Sequence, residues 1–163
     1  MSKSEKPPMT LAVRELMAHK VDFTPHLYDY EEKGGTARSS QELGVEEHSV
    51  IKTLIMETDS KSPLIVLMHG DMQVSTKQLA RDMGVKSVSP CKPEVADRHS
   101  GYQVGGTSPF GTRHKMPVYM EKTILNLPRI YINGGKRGFL VGLDPKKVVE
   151  ILSPHLVSVG ILG

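Results

Sequence analysis

Two stretches of the chain are rich in β-branched and other apolar residues, residues 50–56 and 64–69. The polar segment 58–62 separates them and has the composition of a turn. This pattern predicts a β-hairpin. Strict alternation along the first strand places Lys52 on the same face as Val50, Leu54 and Met56.

Helical spacing of apolar residues, bounded by capping residues, marks the helices. Thr10 and Asp144 are typical N-caps, and Gly44 and Gly84 are typical C-terminal glycines. The predicted helices span residues 11–19, 39–43, 76–83, 92–98 and 145–152.

The remaining strand candidates are short and separated by glycine- or proline-rich joints. Pro25 cannot donate a hydrogen bond to a neighbouring strand, so residues 23–30 are predicted to form an edge strand. The other candidates are residues 85–89, 102–106, 118–120, 129–133 and 139–143. About seven mostly short strands with helices between them predict a mixed α+β fold, built on a curved sheet that can close into a barrel.

Composition favours one globular domain. The chain has 163 residues, of which 38% are hydrophobic, so we expect a flexible leader at residues 1–9 and a single domain over residues 10–163. The longest uncharged apolar run, residues 62–68, falls far short of the roughly 20 residues that cross a bilayer. The first ten residues lack the apolar region of a secretory signal. With Cys91 as the single cysteine, a reducing cytoplasm is the expected compartment.

The two halves of the chain differ in charge. Residues 1–80 carry a net charge of −3 and residues 81–163 a net charge of +6. The basic half is therefore the candidate contact for a polyanion. A lysine-rich face that is simply solvated would give the same count.

Lys52 and two glycine-rich segments are the main candidates for chemistry. Lys52 either lays its stem on the core with its ammonium in water, or points a cation into a concavity where it would attract a phosphate or a developing oxyanion. Residues 105–111 and 133–138 can each bring backbone N–H groups close to a ligand, although both could be plain connections. The second segment matches neither a P-loop nor a dinucleotide fingerprint, but its Lys136 and Arg137 can hold a phosphodiester.

Other chemistries find little support in the sequence. Cys91 has a cationic neighbour, Lys92, that could lower its pKa, but no partner base is apparent. The seven histidines are dispersed and one cysteine cannot build a thiolate site, so no metal is predicted, and no cofactor either. No serine-hydrolase elbow is present.

The order and spacing of four segments, from about residue 10 to residue 152, resemble the YbaK/EbsC family, the free-standing relatives of the editing domain in bacterial prolyl-tRNA synthetases. The segments are Phe23 with residues 26–28, residues 52–54, GYQVGGTSPFG at 101–111 and IYINGGKRG at 130–138. The resemblance implies a mixed α/β fold on a barrel-like sheet. It also implies an aminoacyl-tRNA deacylase that clears a wrong amino acid, cysteine in YbaK-type members, from tRNA(Pro).

The same resemblance implies the site residues. Lys52 matches the essential lysine of the family, and Gly105 opens its G-x-x-x-P loop, so these two are the predicted catalytic residues. The predicted substrate-binding residues are Tyr28, Thr53, Gly106, Thr107, Ser108, Pro109, Asn133 and Gly134, and the predicted tRNA-binding residues are Lys136 and Arg137. Asn133 replaces a serine found in some members, and Leu140 replaces an aspartate. The Leu140 change makes the cysteine preference less secure than the family assignment.

The resemblance further implies a mechanism without a protein nucleophile, in which the substrate thiol attacks its own ester carbonyl. Alanine would instead require a positioned water. A transient partnership with prolyl-tRNA synthetase is also implied. Two other functions are possible. One is a non-catalytic tRNA- or synthetase-binding module of the same fold, which the replacement of an aspartate by Leu140 would favour. The other is a small-molecule hydrolase, which the basic C-terminal half disfavours.

Overall fold

The structure, a computed structural model, describes residues 7–162. It contains five α-helices: α1 Leu11–Ala18, α2 Gly35–Leu43, α3 Thr76–Met83, α4 Pro93–Ser100 and α5 Pro145–Leu152. Its ten strands are β1 Thr24–Leu27, β2 Val50–Thr58, β3 Pro63–His69, β4 Met72–Val74, β5 Val88–Pro90, β6 Val118–Glu121, β7 Ile130–Lys136, β8 Phe139–Leu143, β9 His155–Val157 and β10 Gly160–Leu162. Two 3-10 helices, Glu47–Ser49 and Lys122–Asn126, precede β2 and β7.

The helix ends follow local capping chemistry. The Thr10 side chain accepts a hydrogen bond from Val13 N at 3.0 Å, and the Asp144 side chain accepts one from Lys146 N at 2.9 Å. Gly44 and Gly84 end α2 and α3 with φ angles of 70° and 74°, a conformation that glycine adopts without steric cost. These predicted caps are confirmed.

Eight strands form one large curved sheet in the order β1-β8-β7-β2-β3-β6-β9, with β5 attached to β2. The predicted hairpin is present as the antiparallel β2–β3 pair, with Ile51 opposite His69. Strand β7 lies parallel to β2 on the other side, and β1 is an edge strand, as Pro25 required. Strands β4 and β10 form a separate antiparallel pair. The fold is thus the predicted mixture of helices around a large mixed sheet.

The core is divided between the two faces of the β2–β3 hairpin. One face carries Ile51, Ile55 and Leu67 and belongs to the larger hydrophobic cluster, which includes α1 and β6 to β8. The opposite face carries Met56 and Met68 and belongs to a smaller cluster. Because side chains alternate along a strand, Lys52 projects on the side of the smaller cluster.

Four details differ from the sequence prediction. Helix α2 begins at Gly35, several residues before the predicted start at Ser39 or Ser40. Residues 102–106 are an irregular loop and not a strand, because Tyr102 turns inward and donates its hydroxyl to Phe110 O at 2.5 Å. Strands β4, β9 and β10 were not predicted. The described strand order runs from β1 to β9 without a pairing between these two ends, so the sheet is curved but stays open.

The predicted leader falls mostly outside the described residues, since residues 1–6 are not described. Residues 7–9 lead directly into α1, and Thr10 N donates to Pro8 O at 3.0 Å. The single-domain boundary at residue 10 stays a prediction. None of the helices within residues 7–162 has the length and apolar character needed to span a membrane.

Candidate functional site

One row of residues crosses the sheet on the face that carries Lys52. Val50 pairs with Tyr131 and Ile51 with Ile132 in the parallel β2–β7 ladder, so Lys52 and Asn133 come next on the two strands and project from the same face. Asn133 is opposite Leu140 on β8, and Leu140 is opposite His26 on β1. The row therefore reads His26, Leu140, Asn133, Lys52 and, on β3, Met68.

Lys52 is half-buried and does not point into bulk water. Its Nζ donates a hydrogen bond to Met72 O, in the short strand that follows the hairpin. Burial lowers the pKa of Lys52 from its ordinary value, and the carboxylates of Glu47 and Asp71 oppose that shift. The ammonium is thus held in a partly desolvated position, where its attraction to a developing negative charge is stronger than in water.

Asn133 links the two glycine-rich segments of the chain. Its Oδ1 accepts hydrogen bonds from Gly135 N at 2.6 Å and Lys136 N at 3.1 Å. Its Nδ2 donates to Lys136 O at 3.2 Å and to Gly105 O at 3.3 Å. The Asn133 amide is therefore engaged within the protein, and it ties the loop at Gly105 to the strand that neighbours Lys52.

Gly105 and Gly106 occupy different environments in that loop. Gly105 is exposed with a φ of +91°, and no described residue accepts a hydrogen bond from its N–H. Gly106 is buried, and its N–H donates to Gln103 O at 2.7 Å. A Cβ on Gly106 would lie 2.6 Å from Arg137 N. Gly105 therefore offers a free amide, whereas Gly106 allows the two loops to touch.

The rest of the loop turns into the protein. Thr107 is half-buried, and its hydroxyl donates weakly to Gln103 O at 3.4 Å. Ser108 is fully buried and accepts a hydrogen bond from Phe110 N at 3.2 Å. Pro109 is buried as well. These contacts shape the loop, and a substrate-binding role for the three residues stays a prediction.

A cavity of about 760 Å³ lies away from Lys52. Pro109 is the one predicted site residue among its lining residues, which otherwise come from α1, β3, the segment 111–118, the end of α5 and the segment 153–155. Size alone would make this cavity a candidate site. The Lys52 row is the candidate site, because the cavity contains none of the predicted charged or amide groups.

Two tyrosines border the row near β1. Tyr28 N donates to Gly138 O at 2.9 Å, which continues the β1–β8 pairing and puts the Tyr28 side chain on the same face as His26. Burial raises the pKa of Tyr28, and the neighbouring Tyr30 adds to this shift, so the Tyr28 phenol is neutral at physiological pH. The predicted residues Tyr28, Asn133 and Lys52 thus share one face.

Lys136 and Arg137 differ in how firmly they are held. Lys136 is exposed. Arg137 lies with its guanidinium carbon 5.2 Å from the centre of the Tyr30 ring, and its Nε donates to Val104 O at 2.9 Å. Arg137 therefore connects the two loops, while the exposed Lys136 is available to bind an anion.

Gly134 is buried beside Phe139, and its carbonyl accepts a hydrogen bond from the Thr10 hydroxyl at 2.5 Å.

Thr53, a predicted substrate-binding residue, does not lie on the face that carries Lys52. Thr53 follows Lys52 and therefore projects to the opposite face, where its hydroxyl is buried and has no partner among the described residues. Its substrate-binding role stays a prediction.

The suggestion that Lys92 lowers the pKa of Cys91 is wrong: burial and the nearby Glu57 raise the pKa of this thiol to about 11. The thiol is thus protonated at neutral pH.

Sequence reasoning missed the surroundings of Lys52. His48, His69, Asp71 and the Met72 carbonyl meet at the end of the hairpin where β2 begins. The sequence feature that could have revealed this group is His69-Gly70-Asp71, because polar residues are unexpected at the end of a buried strand. Within residues 7–162, no three His, Cys, Asp or Glu side chains cluster as metal ligands would.

Comparison with known proteins gives a consistent set of relatives. Residues 31–151 match the family model described as "Aminoacyl-tRNA editing domain". EbsC of Enterococcus faecalis, named as a candidate Cys-tRNA(Pro)/Cys-tRNA(Cys) deacylase, is 26% identical, with 98% of each chain covered. A proline–tRNA ligase of Thermodesulfovibrio yellowstonii is 31% identical over 89% of this chain but only 23% of its own length.

The fold has been seen in solved structures. A crystal structure of a candidate trans-editing enzyme for prolyl tRNA synthetase superposes with a TM-score of 0.81 at 18% identity, covering 94% of this chain and 99% of the other. At this identity the match shows the fold alone.

Proposed function

The chain belongs to the aminoacyl-tRNA editing domain family, and from this premise we propose that it is a trans-editing deacylase that releases cysteine from Cys-tRNA(Pro). The observation that carries the proposal is the position of Lys52. Lys52 has a partly buried ammonium and lies in the strand next to that of Asn133, which in turn holds the loop with the free Gly105 amide. A cation and a backbone N–H near one another can share the stabilisation of an ester oxyanion.

The proposed reaction needs no nucleophile from the protein. The substrate thiol attacks the carbonyl carbon of its own ester, the bond from that carbon to the ribose oxygen breaks, and the thiol proton ends on the ribose oxygen. Water then opens the cyclic thioester to give free cysteine. The protein contributes by holding the aminoacyl group in a folded conformation and by stabilising charge on the carbonyl oxygen.

The tRNA is proposed to approach along the basic half of the chain, with Lys136 and Arg137 at the rim of the site. Both residues follow Asn133 in the same strand and loop, so a phosphate bound there would be close to the ester. Choice of tRNA(Pro) is proposed to depend on prolyl-tRNA synthetase as a partner, since ligases of this kind contain a segment similar to most of this chain.

The test is a deacylation panel with purified protein and separately charged Cys-tRNA(Pro), Ala-tRNA(Pro) and Pro-tRNA(Pro). We expect rapid loss of cysteine only. Lys52→Ala is expected to lower the rate by about 100-fold, the usual effect of removing one group that stabilises an oxyanion. Lys77→Ala, which removes an exposed lysine of α3, is the matched control and should retain the full rate.

Each outcome of the panel has a clear meaning. Stable esters in all three reactions would refute a deacylase and leave a tRNA- or synthetase-binding module of the same fold. Equal loss of cysteine and alanine would replace thiol attack with attack by water. A folded Lys52→Ala variant with the wild-type rate would remove Lys52 from the reaction.

A further inference from the structure

The acceptor for the Lys52 ammonium lies at the start of β4, directly after the turn that joins β3 to β4. Lys52 is opposite Met68 in the hairpin, yet its Nζ reaches past the end of β3 to the carbonyl of Met72. The turn between β3 and β4 consists of Gly70 and Asp71. The position of the ammonium therefore depends on how firmly the turn is held.

Several contacts from other elements hold the turn. A Cβ on Gly70 would lie 2.7 Å from both Glu47 O and Val50 O, so the backbone here packs directly on the start of β2. The Thr36 hydroxyl in α2 lies 2.6 Å from Glu47 Oε2 and 3.1 Å from Gly70 O. The turn is thus fixed between α2 and the 3-10 helix that precedes β2.

A pair of stacked histidines supports the same turn. The rings of His48 and His69 are parallel within 6°, with centroids 3.7 Å apart. His69 is fully buried, and its Nδ1 lies 2.8 Å from His48 O. Since a carbonyl only accepts, Nδ1 carries the proton, and Nε2 accepts the Thr123 hydroxyl at 2.8 Å. His69 is therefore neutral, and two hydrogen bonds fix the ring on which His48 stacks.

His48 connects the His69 ring to the turn. Its Nδ1 donates to the Asp71 carboxylate at 2.8 Å. Both side chains are about 40% exposed, so this contact alone would be worth little. The pair is instead braced by the His69 ring, and Asp71 sits next to the residue that holds Lys52.

We propose that His48 and Asp71 are positioning residues for Lys52: His48, stacked on His69, holds Asp71 and with it the turn at Gly70 and Asp71, so that the Met72 carbonyl fixes the ammonium. This inference rests on the proposed function, because it assigns importance to the position of Lys52. The charged groups that act on Lys52 are Glu47, from the 3-10 helix, and Asp71, from the turn. Glu121 and Asp71 act in turn on His69, whose own pKa is lowered chiefly by burial.

The test measures Lys52 directly and does not depend on deacylation. Acetylation by acetic anhydride is followed at each lysine by peptide mass spectrometry between pH 7 and pH 11, with Lys77 as the internal reference. Asp71→Asn keeps the shape of the side chain and removes its charge. Lys52 should then lose its proton at lower pH, and its acetylation at pH 8 should rise about threefold, the effect expected from one partly exposed carboxylate.

Two further variants complete the design. His48→Phe keeps an aromatic ring on His69 and the charge of Asp71 but removes the donor that holds Asp71, so the turn should loosen, the ammonium should regain water, and the Lys52 profile should move to higher pH. Asp82→Asn removes an exposed carboxylate of α3 that accepts from Gln78 Nε2 at 2.8 Å, and should change nothing. If Asp71→Asn does not fold, the His48→Phe profile decides the question.

Deacylation provides the second readout. In Asp71→Asn we expect kcat to fall and the alkaline limb of its pH profile to move to lower pH together with the acetylation profile, which loss of structure alone would not produce. Unchanged Lys52 acetylation in both folded variants would overturn the inference. Shifted acetylation in a protein that deacylates nothing would uphold the inference and refute the proposed function.

Discussion

Asn133 and Gly105 are joined by a hydrogen bond of 3.3 Å from the Asn133 Nδ2 to the Gly105 carbonyl. The bond connects a strand of the central sheet to an exposed loop, across 28 positions of sequence. On the strand side, Asn133 is the next residue across from Lys52 in the parallel ladder. The bond thus connects the loop that contains the free Gly105 amide to the strand beside Lys52.

Replacing Asn133 by aspartate should separate the two functions of its amide. Asp retains the acceptor for Gly135 N and Lys136 N but loses the donor to Gly105 O and to Lys136 O. We expect deacylation of Cys-tRNA(Pro) to fall by about tenfold or more, because a displaced loop amide no longer faces the ester. Asn133→Ala loses all these bonds and should in addition lower the free energy of unfolding by about 2 kcal/mol. Urea titration and single-turnover deacylation measure the two effects, and equal rates for Asn133→Asp and wild type would contradict the prediction.

Gly106→Ala should impair the site by steric displacement. The added methyl group would lie 2.6 Å from Arg137 N, so the two loops must move apart. We expect a loss of deacylation of about 100-fold, in line with the sensitivity of such reactions to small misplacements. Gly84→Ala is the matched control, because its Cβ would enter open space and only the φ of +74° resists it. That variant should lose about 1 kcal/mol of stability and no activity, measured by thermal unfolding and by the same assay.

Cys91 should be inert as a nucleophile. Its pKa is raised from 9.0 to about 11, first by burial and then by Glu57. At pH 8 only about one thiol in a thousand is ionised, so iodoacetamide should label the folded protein far more slowly than the urea-unfolded protein. Between about pH 9 and pH 11 the unfolded chain releases this proton and the folded protein does not, so the thiol should lower stability as pH rises. Cys91→Ala should deacylate at the wild-type rate and lose this part of the pH dependence; a large drop in rate would show that the thiol participates.

Lys136 and Arg137 should contribute differently to RNA binding. Lys136 is exposed, so Lys136→Ala should weaken tRNA binding and reduce the slope of log K against log salt by about one, the loss of one phosphate contact. Arg137 also bonds Val104 O and covers Tyr30, so Arg137→Ala should reduce stability as well. Filter binding over a salt series and urea titration distinguish the two. An unchanged salt slope for Lys136→Ala would place the RNA elsewhere.

The parts of the fold that sequence predicted well are those fixed by neighbouring residues. Helix α3 was predicted with its correct bounds because Gly84 marks its C-terminal end, and the structure adds Ser75 as its N-cap. Residues 102–106 were misassigned because their apolar residues resemble a strand, whereas the inward turn of Tyr102 depends on Phe110 and on packing that a local pattern does not contain. Strands β9 and β10 are three residues each, too short to give a periodic signal.

In the candidate site, too, local sequence patterns predicted some features, while others depend on tertiary contacts. A period of two placed Lys52 on a known face, and glycine spacing located the loop at Gly105. Neither pattern could show that the Lys52 ammonium is bonded to Met72 O, because that contact depends on how the chain turns between β3 and β4. For the same reason the roles of His48 and Asp71 became visible only in three dimensions.

Strand β4 has one further consequence, which concerns the order in which the protein folds. Its Met72 pairs with Leu162, so the carbonyl that receives the Lys52 ammonium belongs to a strand whose partner comes from the far end of the described chain. Closing so long a loop is entropically costly, and contacts of this kind form late. The β2–β3 hairpin alone therefore does not anchor its lysine, because the anchor belongs to a strand that pairs with the far end of the described chain.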